Sequence, residues 1–198
     1  MIGKTLQKRN LDLLTIGTGS RHVVVMARVH PGETPASFIM EGFLDFVTNS
    51  ECALACFLRE KCTLKGWIGR QSTILSKLNN FGQFETKVIP MLNPDGVALG
   101  NYRCSVTGYD LNRHWRDTNP WAQPGLHAVK TYLAQLEKEA QVDFCIDIHA
   151  HSLASGAFMY GNVAEDQETQ LDQLWVFELK YFLLTDAGLI CFREIGLF

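Results

Sequence analysis

The sequence predicts an α/β protein, with helical layers against a mixed, largely parallel sheet in an α/β/α arrangement. Three observations carry that prediction. Short apolar runs bounded by glycine and polar turns alternate along the chain with longer stretches of helical period. The helical stretches space their apolar residues at a helical period, and 125–140 carries them on one face, as a layer covering a sheet must. The chain has 198 residues, 46% of them apolar, so one substantial core is affordable and disorder is not expected.

The elements follow in order. Residues 11–16 and 23–29 are short apolar runs and read as buried strands. Residues 33–47 place Phe38, Ile39, Phe43, Leu44 and Phe46 at helical spacing, with Pro35 in the first turn, where its missing N–H is harmless. Residues 53–59 continue as a second helical piece. Residues 87–92 form another apolar run, ended by Asn93-Pro94-Asp95-Gly96, a strong turn signal. Residues 125–140 form a helix with Leu126, Val129, Leu133 and Leu136 on one face. Residues 143–148 read as a strand, 158–160 as a shorter one and 167–184 as a helix. Residues 62–84 hold no sustained period and are far longer than an ordinary connection of roughly 2–6 residues, so they read as an insertion.

Composition excludes several classes. The net charge of −3 comes without a basic block, so no nucleic-acid partner is expected. The longest membrane candidate, 175–192, is broken by Glu178, Lys180 and Asp186, so no membrane partner is expected either. The N-terminus lacks the apolar stretch of a signal peptide. Cys52, Cys56, Cys62, Cys104, Cys145 and Cys191 match neither zinc pairs nor a disulfide framework. The expectation is a cytoplasmic protein with free thiols.

Two constellations carry chemistry. The strand at 23–29 runs into His30-Pro31-Gly32-Glu33, with the histidine at a strand end and the glutamate at a helix start. In α/β sheets that edge is where ligands bind. Imidazole and carboxylate suit Zn²⁺. The strand at 143–148 ends in His149-Ala150-His151, and period-two alternation puts both histidines on one face. Either could supply a third ligand; His149 is preferred because it ends the apolar run. Two histidines and a carboxylate form an open, catalytic type of site, whereas closed structural sites prefer thiolates.

The second constellation runs from Asn93-Pro94-Asp95-Gly96 through Asn101-Tyr102-Arg103 to Asp110-Leu111-Asn112-Arg113. A planar guanidinium can grip both oxygens of a carboxylate. An enzyme acting at a chain end must bind a free carboxylate and stabilise an oxyanion. Two arginines and an asparagine near a zinc site meet both needs.

The stretches HPGETPASF, MLNPDGVALGNYRCSVTGYDLNRHW and DIHAHS followed by GAFMYGN together resemble the M14 zinc carboxypeptidases, and within them the cytosolic branch that removes glutamates from tubulin and other proteins. The resemblance implies one Zn²⁺ per chain held by His30, Glu33 and His149. It implies Arg103 as the group polarising the scissile carbonyl, and Asn112 and Arg113 as the clamp on the terminal carboxylate. The digestive branch carries an arginine just before its glutamate ligand; here that position is Gly32, as in the cytosolic branch. The partners implied are protein or peptide C-termini, such as polyglutamate tails of tubulin, in the cytosol and at microtubules. An acylase-type amidohydrolase shares the H-x-x-E…H core, but the GNYRCS and DIHAHS text favours a peptidase.

The chain also departs from the family. The family's mechanism uses a late glutamate as general base, and none of Glu165, Glu168, Glu178 or Glu194 sits in a matching context. General-base catalysis contributes roughly 10²–10⁴-fold. The expectation is a partial catalytic domain over 1–198, zinc carboxypeptidase-like, with its C-terminal part missing, an insertion at 62–84 and a divergent tail over about 170–198. The alternative function is an inactive zinc-containing module that binds acidic C-terminal tails.

Overall fold

Along a strand, alternate side chains face opposite ways, and the strand over residues 21–27 has apolar residues in both phases. Both of its faces are therefore covered. In the computed structural model, which describes residues 1–18, 21–59, 84–151, 159–160 and 189–192, this strand lies in the interior of a six-stranded sheet. In chain order the elements are β1 (Gly3–Lys4), β2 (Asn10–Leu11), β3 (Leu14–Gly17), β4 (Arg21–Ala27), α1 (Pro35–Thr48), α2 (Ala53–Arg59) and β5 (Phe84–Ile89). They continue with α3 (Pro94–Leu99), a 3-10 turn at Leu111–Arg113, α4 (Pro124–Glu139), β6 (Gln141–His149), β7 (Met159–Tyr160) and β8 (Leu189–Phe192).

Val24 and Met26 face one way and join Val29, Ile89, Leu92 and the α4 residues Leu126, Val129, Leu133 and Leu136. Val25 and Ala27 face the other way and join Val88, Ile148 and the α1 residues Ala36 and Met40. The result is the expected α/β/α layering. Each fully buried Val or Leu side chain contributes about 1.5–3 kcal/mol relative to exposure, so β4 anchors two cores at once.

The main sheet has the order β3-β5-β4-β6-β8-β7. β4 lies parallel to both β5 and β6, while β3 and β8 run antiparallel to β5 and β6. The sheet is mixed and largely parallel, as the sequence predicts, with parallel pairs at β5-β4, β4-β6 and, at the edge, β8-β7. From β4 the chain crosses to β5 on one side, then to β6 on the other. The strand order reverses at β4, and ligands bind where strand ends diverge at such a switch point. The register of β6 on β4 steps from His22↔Val142 to Val23↔Phe144, a β-bulge with Asp143 as the extra residue.

Several boundaries differ from the sequence reading. The run 11–16 divides. Leu11 is fully buried against α4, whereas β3 begins at Leu14, which is 39% exposed on the edge of the sheet. The strand expected at 87–92 runs from Phe84 to Ile89, because Pro90 has no N–H to continue a ladder. Asn93-Pro94-Asp95-Gly96 starts a short helix rather than a bare turn. Asn93 caps it by accepting from the Gly96 N–H at 3.0 Å, with proline in the first helical turn. Leu189–Phe192, within the tail read as divergent, adds a strand to the main sheet. The remaining expectations for 62–83, for the helix at 167–184 and for Glu194 lie outside the described residues.

Candidate metal centre

The site forms at the C-terminal ends of β4 and β6. After Ala27 the chain turns through Arg28, whose φ of 62° is left-handed and uncommon for a residue with a side chain. Val29 and His30 follow, both buried, and Pro31-Gly32 carries the chain into α1. The turn is held from outside. The Leu92 and Asn93 N–H groups donate to the Ala27 and Arg28 carbonyls, and Asn93 Nδ2 donates to the Val29 carbonyl. Two glycines allow the close approaches. A Cβ on Gly96 would overlap Pro31, and a Cβ on Gly32 would lie 2.6 Å from the Tyr102 carbonyl oxygen. The Gly32 N–H donates to that same oxygen at 2.7 Å, which brings the loop carrying Arg103 against the turn.

His30, Glu33 and His149 come together, with one candidate ligand atom from each lying within 4.8 Å of the others. His30 Nδ1 lies 2.7 Å from Glu33 Oε1 and His149 Nδ1 lies 3.0 Å from Glu33 Oε2. The imidazole rings are 5.0 Å apart. The Ala150 N–H donates to Glu33 Oε2 at 3.0 Å. His151 lies beyond this group and is exposed.

Both histidines are held from behind by aspartates that the sequence reading did not single out. His30 Nε2 lies 3.0 Å from Asp110 Oδ1, and His149 Nε2 lies 2.9 Å from Asp147 Oδ2. Carboxylates in that position fix the ring orientation and leave the opposite nitrogen's lone pair for a metal. Asp147 is buried, and its Oδ1 has no hydrogen-bond partner among the described residues, so its charge acts chiefly on His149. A signal for Asp147 existed, since D-x-H on a strand puts both side chains on one face. Asp110 is 80 residues from His30, and no local pattern marks that pairing.

The electrostatics follow from these contacts. Burial alone would raise the Glu33 pKa, but hydrogen bonds from His149, His30 and the Ala150 N–H outweigh it and hold the carboxyl at about 2. Burial would lower the His149 pKa, but Asp147 and Glu33 lift it to about 10. Burial lowers Arg28 from its ordinary value, and the charge of Glu33 opposes that. Asp110 is held below the ordinary carboxylate range because His30 and Arg103 overcome its partial burial.

The residues present fit a zinc ion. The donor set is two imidazoles and one carboxylate without thiolate, and both rings are oriented by carboxylates. Arg103 meets this group through Asp110, with Nε at 2.8 Å and Nη2 at 2.7 Å from Oδ2. Asp110 also accepts from the Asn112 N–H at 3.0 Å and so starts the 3-10 turn. Asn112 Oδ1 accepts from Trp115 Nε1 at 3.0 Å, which pins the turn to buried Trp115. Arg113 is exposed beside it, with Nη1 3.4 Å from the Asn112 carbonyl oxygen. The structure thus places Arg103 and Asn112 next to the histidine cluster through Asp110, and Arg113 on the same turn facing solvent.

Comparison with known proteins agrees with this geometry. The family model described as zinc carboxypeptidase matches residues 1–174. Cytosolic carboxypeptidase 6 of Homo sapiens is 44% identical over 177 residues, covering 84% of this chain and 31% of the relative. Its Caenorhabditis elegans counterpart is 38% identical over 201 residues, covering 96% and 39%. The chain therefore spans roughly a third of the length of these relatives. A metallo-carboxypeptidase from Burkholderia cenocepacia shares the fold, with a TM-score of 0.66 at 20% identity over 97% of this chain and 54% of that one.

Proposed function

The chain belongs to the zinc carboxypeptidase family, and from that premise we propose that it is a catalytic part of an enzyme that hydrolyses C-terminal residues, glutamates above all, from proteins such as tubulin. The observation that carries the proposal is the convergence of His30, Glu33 and His149 with each ring backed by its own aspartate. One zinc ion per chain would be held there, supplying Lewis acidity. Arg103, fixed by Asp110 beside the metal ligands, is the donor for the scissile carbonyl. Asn112 and Arg113 receive the terminal carboxylate, and the exposure of Arg113 leaves it open to a ligand from solvent. The relatives' naming as cytosolic supports a cytosolic setting. Among the described residues, no helix is long and apolar enough to cross a membrane. As a unit, residues 1–198 are read as part of one catalytic domain, with an insertion at 62–84 and a divergent tail over about 170–198.

A second reading, a zinc-holding module that binds acidic C-termini without cleaving them, has one observation in its favour. Among the described residues, the carboxylates at the site are Glu33, Asp110 and Asp147, and each is engaged by a histidine. None of them is left to accept a proton in catalysis. The test is a zinc-loaded chain mixed with peptides ending in several glutamates, with free or amidated termini. Release of glutamate from the free acid alone supports the enzyme. Tight binding without release supports the module. Equal binding of acid and amide refutes recognition of the chain end.

A further inference from the structure

Arg28 precedes the metal turn and has an unusual combination of features. Its backbone is left-handed, with φ 62°, a conformation that a long side chain adopts only when its surroundings enforce it. Its side chain is not in solvent, since the residue is only 8% exposed. The guanidinium turns inward under the turn that it begins. Nε donates to the Pro31 carbonyl at 2.8 Å, and Nη1 donates to Ser37 Oγ on α1. On the other side, the Arg28 carbonyl accepts the Asn93 N–H at 3.2 Å. One residue therefore joins the end of β4, the His30–Glu33 turn, the first turns of α1 and the cap of α3.

We propose that Arg28 is a positioning residue that holds His30 and Glu33 in ligating geometry before a metal arrives. This rests on the zinc reading of the site. With 8% exposure it does not reach substrate, so it acts through the turn alone. The fork geometry matters: Nε and Nη1 grip two acceptors from two different elements, whereas a lysine ammonium would present one point charge. A glycine would relieve the left-handed strain but release Pro31 and Ser37. Backbone comfort and metal affinity should therefore move in opposite directions.

The test compares wild type, Arg28→Gly, Arg28→Lys and Ser37→Ala in the full 198-residue chain. Zinc affinity is measured by chelator competition on protein shown to be folded by circular dichroism, and the absorption spectrum of the Co²⁺-loaded protein reports ligand geometry. Arg28→Gly and Arg28→Lys are expected to weaken zinc binding by roughly 10–100-fold, the range for residues that orient ligands, and to change the cobalt spectrum. Ser37→Ala removes one anchor without touching the backbone, and a smaller loss in the same direction is expected. If Arg28→Gly does not fold, Arg28→Lys and Ser37→Ala decide. Folded variants that bind zinc as wild type does, with an unchanged cobalt spectrum, overturn the proposal and leave the metal centre standing. A wild-type chain that binds no zinc overturns both.

Discussion

Glu33 and Asp95 are two carboxylates that each organise a polar cluster, and they use their oxygens differently. Asp95 is 4% exposed and accepts from the Thr5 hydroxyl at 2.7 Å, the Gln7 N–H at 2.9 Å and the Arg9 guanidinium at 2.9 Å. All three donors lie in the N-terminal segment, so Asp95 fastens the β1–β2 hairpin to α3. Glu33 is bonded instead by two imidazoles, each of which can also offer a lone pair. Both carboxyls are pushed below their ordinary pKa against the effect of burial. A depressed pKa therefore does not separate the proposed metal ligand from the structural carboxylate. What separates them is the chemistry of their partners: the Thr, Gln and Arg groups on Asp95 offer no imidazole nitrogen, while the histidines on Glu33 can turn their lone pairs to a metal.

The largest expected effect tests that distinction directly. Alanine at His30 or His149 should cost more zinc affinity than the roughly 10–100-fold lost with a supporting residue, and Asp95→Asn should cost none. Metal analysis after dialysis against a chelator decides. Full zinc in both histidine variants would erase the contrast between the clusters, and zinc lost only from His151→Ala would move the third ligand. Next in size, Arg113→Ala should weaken binding of a glutamate-ended peptide by about tenfold or more, as loss of a charge-assisted pair does. Amidating the peptide should have a similar effect, and calorimetry with both peptides checks it.

Gly32→Ala sharpens the comparison from the backbone. Its Cβ would meet the Tyr102 carbonyl oxygen at 2.6 Å, and backbone cannot swing aside. The expected outcome is about 1–3 kcal/mol of lost stability. Displacement of Arg103 should also weaken peptide binding while zinc is retained. Loss of zinc with peptide binding intact would contradict that order. The smallest effect belongs to Asp95→Asn, at about 1–2 kcal/mol in thermal or denaturant unfolding. Its pH dependence has a definite sign. A carboxyl with a lowered folded pKa stabilises fully above its ordinary value of 3.8 and loses that contribution as pH falls through the folded value. The gap between wild type and variant should be constant near neutrality and close in acid. A gap that widens in acid would mean that the Thr5, Gln7 and Arg9 contacts do not stabilise the ionised form.

Much of this was legible in the sequence because the signals are local. His30 and Glu33 flank a Pro-Gly turn at a strand end, and His149 ends an apolar run, so element boundaries alone place all three on one sheet edge. The layered α/β order follows from alternating periods of the same kind. The supporting contacts are not local. Asp110 reaches His30 across 80 residues and Asp95 reaches Thr5 across 90, and nothing beside either aspartate marks its partner. Asn93-Pro94-Asp95-Gly96 carries turn residues that are also good first residues of a helix, and Asn93 caps its own helix rather than closing a turn. Arg28 reads as an ordinary cation until its backbone angle is known.

The bulge at Asp143 gives the site an arithmetic. Side chains on a strand are counted in twos, and the step from Val142 to Phe144 resets the parity of everything beyond it against β4. With that reset, Ile148 stands beside Ala27 in the α1 core, and the Ala150 N–H meets Glu33. From 144 to 149, apart from Asp147 and His149 themselves, the identity of a residue can change more safely than the number of residues. One insertion or deletion there would turn an even count odd and carry His149 to the opposite face from Glu33. The same event at 142–143 falls on the one place in the strand already built to absorb an odd residue. Metal binding by length variants on either side of the bulge would thus read out the parity of the strand rather than the chemistry of its ligands.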